Sequence, residues 1–144
     1  MSLGLVQHGP SPQMRGDMTE LKQTLLEAAL VHVVFDGWSD AVLVAAAQDC
    51  NVSLPEAKAL FPRGGVDLAL AFHAWGDQQM IERLQAADLG AMRVREKITF
   101  AVRTRLEVSA DHKEAVRRGT TLFSLPIHAA DGARAIWQTC DAIW

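Results

Sequence analysis

DGWSDAVLVAAAQDCNVSLPEAKALFPRGG, residues 36–65, decides the fold, because it reads as two short helices joined by a tight turn with clear start and stop signals. Ser39 stands where a hydroxyl can cap the first helix, and Ala41, Val42, Ala45 and Ala46 then recur at three- and four-residue spacing. Small alanines on that stripe let a second helix lie close. Asn51, which tolerates the left-handed conformation, ends the first helix after Asp49 and Cys50. Ser53-Leu54-Pro55-Glu56 opens the second helix as a capping box with proline in the first turn, and Phe61-Pro62 followed by Gly64-Gly65 closes it.

Such a pair is a helix-turn-helix, a unit that can set its second helix in the major groove of DNA. The side chains do not suit that task. Residues 1 to 65 carry four basic groups (Arg15, Lys22, Lys58, Arg63) against seven acidic ones, whereas affinity for phosphates needs lysine and arginine. The second helix offers Lys58 and almost no donor for reading base edges. A helix pair that serves packing is favoured over a DNA reader.

Working outward, Thr19 is placed to cap a helix whose face carries Leu21, Leu25, Ala28, Ala29 and His32, and residues 1–18 read as a disordered tail. Trp38, just ahead of Ser39, is placed as a hydrophobic staple. After Gly65 a long helix to about Ala87 carries Leu68, Phe72, Trp75, Met80, Ile81 and Leu84, with Gly76 as a point of bending. If Trp75 is core, Trp75→Ala costs about 3 kcal/mol or more. A helix from about Ala91 to Ser109 follows, with Val94, Ile98, Ala101 and Val102 as its inward stripe. Asp111 and Glu114 form a capping box for the next helix, which ends before Leu125-Pro126. The last helix holds Ala129, Ala133, Ile136, Trp137, Cys140 and Ile143 in register. It stops at Trp144 without a terminating signal, so the natural protein is expected to continue. No run alternates as a strand would, and the expected class is all-α: a three-helix unit over residues 19–65 and a helical bundle over 66–144, one compact domain overall.

Composition narrows the function. A chain of 144 residues with net charge −3 has no general attraction to nucleic acid or anionic membrane. Two cysteines, Cys50 and Cys140, make neither a disulfide framework nor a zinc site. No apolar run spans a bilayer and no signal peptide opens the chain, which points to the cytoplasm. Histidines 8, 32, 73, 112 and 128 show no ligand spacing, so no metal is expected. The carboxylate pairs, Asp36 with Asp40 and Asp77 with Glu82, read as solvated. No nucleophile triad, phosphate loop or di-iron motif is present, so neither catalytic residues nor a cofactor is assigned and the protein is not expected to be an enzyme.

Arg105 breaks its local pattern by falling on the face of Ile98 and Val102. Buried there it must be paired, either with a carboxylate on a neighbouring helix or with the polar head of a bound lipid. The soft, large residues Leu68, Phe72, Trp75, Met80, Ile98, Val102, Phe123, Ile136 and Trp137 read first as core. With the helices splayed they would instead line an apolar cavity suited to a lipid tail.

The stretch AALVHVVFDGWSDAVLVAAAQDCNVSLPEAKALFPRGGVDLALAF (residues 28–72), the pair Arg105-Leu106, the Leu125-Pro126 break and the terminal CDAIW resemble the coenzyme Q (ubiquinone) biosynthesis accessory family of the ninth Coq protein. The likeness runs from about Thr19 to Trp144. That family is similar in fold to TetR-type regulators, and residues 52–68 resemble a TetR helix-turn-helix. The resemblance implies a non-catalytic homodimer that holds an isoprenoid or quinone-precursor lipid, with the bundle as its ligand-binding and dimerisation part. It also implies a place at the periphery of the inner membrane. It implies delivery of that lipid to a membrane-associated di-iron demethoxyubiquinone hydroxylase, with Asp141 and Trp144 at the partner interface. In the family further helices follow, one of them amphipathic and membrane-contacting. The alternative is a TetR-type transcriptional regulator with a hydrophobic effector.

Overall fold

A computed structural model describes residues 12–144, and every regular element in them is helical. The helices are α1 (Pro12–Asp36), α2 (Asp40–Asp49), α3 (Leu54–Leu60), α4 (Gly65–Ala86), α5 (Val94–Ala110) and α6 (Lys113–Phe123). A 3-10 turn (Pro126–His128) leads into α7 (Ala129–Ile143). No strand occurs among the described residues, as the all-α expectation requires. No helix among them is long and apolar enough to cross a membrane.

The decisive stretch folds as its signals dictate, with one exception. At the end of α2, Asn51 adopts φ 58°. Its amide donates to Gln48 O at 3.2 Å and that of Val52 donates to Ala47 O at 2.9 Å, so the turn is a Schellman motif with asparagine in the left-handed position. Ser53 caps α3 by accepting from the Glu56 amide at 3.3 Å. Ser39 sits at the N-cap position of α2, but its hydroxyl makes no cap bond and is buried without a hydrogen-bond partner among the described residues. The Asp40 carboxylate reaches forward instead and accepts from the Gly65 amide at 3.2 Å. That contact explains the double glycine. Gly64 holds φ 60°, and a Cβ on Gly65 would lie 2.5 Å from Trp38 O.

Elsewhere several boundaries differ from the sequence reading. Residues 1–11 of the expected tail lie outside the described residues. Residues 12–18 are the first turns of α1, which starts at Pro12, where a missing amide costs nothing. Thr19 does not cap; its hydroxyl donates to Arg15 O within the helix at 2.8 Å. Helix α5 starts at Val94 rather than near Ala91, because Glu96 accepts from the Arg93 amide at 2.9 Å and fixes the cap there. The expected Asp111–Glu114 box is absent. Asp111 closes α5, and Glu114 accepts from the Arg117 and Arg118 side chains.

The core runs without a break from Leu25, Leu26, Ala29 and Val33 of α1, through Val42, Leu43 and Ala46 of α2 and Phe61, to Leu68, Ala69 and Phe72 of α4 and Ala115 of α6. Three stripes face differently from the expectation. In α2 Leu43 and Ala47 are buried beside Val42 and Ala46, while Ala41 is exposed. In α5 the buried residues are Ala101, Thr104 and Val108, while Val94 and Val102 are exposed. In α7 the buried residues are Gly132 and Ala135, while Ile136 and Trp137 are 64% and 73% exposed. The small face turns inward because it permits close approach: a Cβ on Gly132 would sit 2.8 Å from Phe123 Cβ.

Candidate functional site: an apolar cavity closed by a polar cluster

A cavity of about 550 Å³ lies between Trp38 and helices α4, α5, α6 and α7, within the roughly 300–1,000 Å³ range of small-molecule sites. Its wall is mostly apolar, from Trp38, Ala69, Phe72, Val116, Phe123 and Ile136, with His73, Arg105, Ser109, Thr120 and Ser124 as the polar lining. Trp38 is held rigidly: its indole Nε1 donates to Ala115 O at 2.9 Å, and its ring lies 5.5 Å from that of Phe72. Phe72 stacks in turn on Trp75 at 5.8 Å, and His112 stands edge-on to both.

The polar cluster is built from α4, α5 and α7. Arg105 Nε donates to Asp77 Oδ1 at 2.8 Å, its Nη1 to Ser109 Oγ at 2.7 Å and its Nη2 to His73 O at 3.2 Å. Thr139 Oγ1 donates to Asp77, with 2.8 Å to each carboxylate oxygen. His73 Nε2 lies 2.6 Å from Thr139 Oγ1 and 3.1 Å from Ala135 O. The surrounding acceptors assign the tautomer. The Ala135 carbonyl can only accept, and with the Thr139 hydrogen directed to Asp77 or to that same carbonyl, His73 carries its proton on Nε2 and leaves Nδ1 as a bare acceptor. Burial lowers the His73 pKa; the charge of Asp77 opposes this, and the positive charge of Arg105 adds a smaller push downward.

Gly76 makes the cluster possible. A Cβ at that position would lie 2.6 Å from the Arg105 guanidinium carbon, so the helix surface is cut away where the guanidinium lies. Asp77 is 8% exposed, which corrects its reading as a solvated carboxylate: it falls on the inward face of α4 and Arg105 compensates its charge. Glu82 is exposed and accepts from Gln78. Of the two readings of Arg105, the ion pair with a neighbouring helix is the contact present.

The residues read as candidates for lipid binding do not gather in one place. Phe72, Arg105 and Ile136 line the cavity. Leu68 and Met80 are fully buried, with no exposed surface. Trp75 is half-buried and lines a second cavity of about 480 Å³ with Leu26, Leu30, Val31 and His112. Ile98 is half-buried, and Val102 and Trp137 face outward. Asp141 and Trp144 are exposed at the end of the chain, Trp144 at 89%. Sequence reading missed His73, Gly76, Asp77 and Thr139. The four-residue spacing of His73 and Asp77 around Gly76 was a usable signal, but nothing in the sequence pointed to Thr139.

No cluster of three or more histidine, cysteine or carboxylate side chains that could hold a metal ion occurs among the described residues. Both cysteines are free. No family model matches the chain. A curated protein does: over 127 residues the chain is 28% identical to the ubiquinone biosynthesis protein COQ9, mitochondrial, of Drosophila melanogaster, an alignment that covers 85% of this chain. The chain is COQ9-like. It spans 39% of that relative's length. The aligned share agrees with the extent of the resemblance read from the motifs, from about Thr19 onward.

Proposed function

We propose that this COQ9-like protein acts in ubiquinone biosynthesis as a non-catalytic accessory protein that holds an isoprenoid or quinone-precursor lipid. The observation that carries the reading is the cavity between Trp38 and helices α4 to α7, apolar along most of its wall and polar where His73 and Arg105 meet it. A long apolar chain would be held by burial against Phe72, Phe123 and Ile136, at about 25 cal/mol for each Å² removed from water. The polar groups of the cluster bond chiefly to one another, which suits retention of a guest better than chemistry on it. In the same reading a homodimer hands its guest to a membrane-associated di-iron demethoxyubiquinone hydroxylase, with exposed Asp141 and Trp144 in the contact. The test is native mass spectrometry of purified protein before and after addition of an isoprenoid. Co-purified or acquired lipid supports the reading, and a protein that takes up none refutes it. For the contact, capture of the hydroxylase should fail with Trp144→Ala.

A second reading, a TetR-type regulator with a hydrophobic effector, has the α2–α3 pair in its favour. A gel shift with genomic fragments separates the two. Specific retention abolished by Lys58→Glu would favour the regulator.

A further inference from the structure

We infer that the cavity selects a lipid whose head is uncharged and bears a hydroxyl, an alcohol or a phenol, and discriminates against phosphate and carboxylate heads. The inference rests on the lipid-holding reading above and adds the chemistry of the head. Two features of the polar cluster carry it. The first is charge. Arg105 is the one cation that lines the cavity, and it is already matched by Asp77 in a 2.8 Å pair with both side chains largely buried, at 16% and 11% exposure. An anionic head would be stripped of water beside a net-neutral cluster whose carboxylate repels it, and an unmatched charge in such a place is costly. The second is hydrogen bonding. His73 lines the cavity, its Nε2 is committed to Thr139 and Ala135, and its Nδ1 has no hydrogen-bond partner among the described residues. The His73 side chain is 29% exposed, and Nδ1 is not sealed from solvent. A hydroxyl that donates to Nδ1 satisfies it; an ether or phosphate oxygen, having no hydrogen to give, does not. The groups that face the ring are Asp77 from α4, Arg105 from α5, and the uncharged Thr139 hydroxyl and Ala135 carbonyl from α7.

Three probes with one chain and three heads test this: farnesol, farnesyl methyl ether and farnesyl phosphate, measured by equilibrium dialysis at about pH 7.5, where an imidazole is neutral. Farnesol is expected to bind about tenfold more tightly than the ether, the value of about one hydrogen bond, and to outbind the phosphate by at least as much. His73→Phe should erase the difference between alcohol and ether while leaving the ether's affinity in place. Asp77→Asn, which leaves Arg105 without its counter-charge, should move preference toward the phosphate. Phosphate bound as tightly as alcohol by the unmodified protein, or an alcohol preference that survives His73→Phe, would overturn the assignment of the head while leaving lipid binding intact. Failure to bind any of the three would remove the lipid-holding reading itself. The unmodified protein alone settles the order of the three heads, so a variant that misfolds does not shield the proposal.

Discussion

The guanidinium of Arg105 occupies the space that a side chain at Gly76 would fill: an ideal Cβ there comes within 2.6 Å of Cζ and Nη1. Gly76→Ala should therefore act against the ordinary helix preference. Alanine gains about 1 kcal/mol over glycine in a helix interior, but displacing a guanidinium held by Asp77, Ser109 and the His73 carbonyl costs more. A net loss of about 1–2 kcal/mol is expected in urea unfolding. In an Arg105→Ala background the same change should stabilise by about 1 kcal/mol. Additive effects of the two substitutions would show that the residues do not share this space.

Asp77 and Arg105 should not contribute equally when changed singly and together. Asp77→Ala leaves a largely buried guanidinium short of its counter-charge and takes the carboxylate acceptor from Thr139, at a cost of about 3 kcal/mol. The pair Asp77→Leu with Arg105→Met removes both charges and should recover most of that loss. Chemical denaturation of the three proteins checks this, and a double variant no more stable than Asp77→Ala would contradict it.

The contrast between what was legible and what was not has a physical basis. Asn51, Ser53, Pro55 and the Gly64-Gly65 turn act through their own backbone, so their roles are visible in the residues themselves. Ser39 looked the same, yet its hydroxyl makes no cap bond; the neighbouring Asp40 carboxylate bonds the Gly65 amide, twenty-five positions further on, a contact with no local signal. Stripe orientation was legible in α4, where Leu68, Phe72 and Met80 are buried; in α2 the buried face keeps Val42 and Ala46 but takes Leu43 and Ala47 in place of Ala41 and Ala45. In α7 two faces competed, and the one built from Gly132 and Ala135 won because it lets helices meet closely. Of the cavity, the aromatic Phe72 and the misplaced cation Arg105 were readable. Asp77 was misread because a carboxylate is exposed by default, and only the three-helix meeting with Arg105 and Thr139 overrides that default.

Trp38 ties the α1–α2 corner to α6 through a single buried hydrogen bond, so its replacement should separate packing from bonding. Trp38→Phe loses the bond to the Ala115 carbonyl and should cost about 1 kcal/mol. Trp38→Ala loses the ring as well and should cost about 3–4 kcal/mol. Trp75 is only half-buried, so Trp75→Ala should fall below the 3 kcal/mol expected of a core ring, at about 1–2 kcal/mol. Thermal melts rank the three, and Trp75→Ala as costly as Trp38→Ala would place Trp75 in the core after all.

His73 gives stability a pH dependence whose sign follows from its lowered pKa. Burial disfavours the imidazolium in the folded protein, with Arg105 adding to the effect and Asp77 opposing it. The unfolded chain therefore takes up a proton first, near the ordinary histidine pKa of about 6.5. The contribution of His73 is fully present above that value and is lost as pH falls through the lower folded pKa. The carboxyls of Asp131 and Glu114, which hydrogen bonds from Arg63 and Arg117 hold below the usual range, act in a separate window, beginning near about pH 4. Unfolding free energy measured between about pH 7 and pH 5 should thus decline in the native protein. His73→Asn should flatten that decline while leaving the loss at lower pH unchanged, and an unaltered slope in the variant would assign the titration to another group.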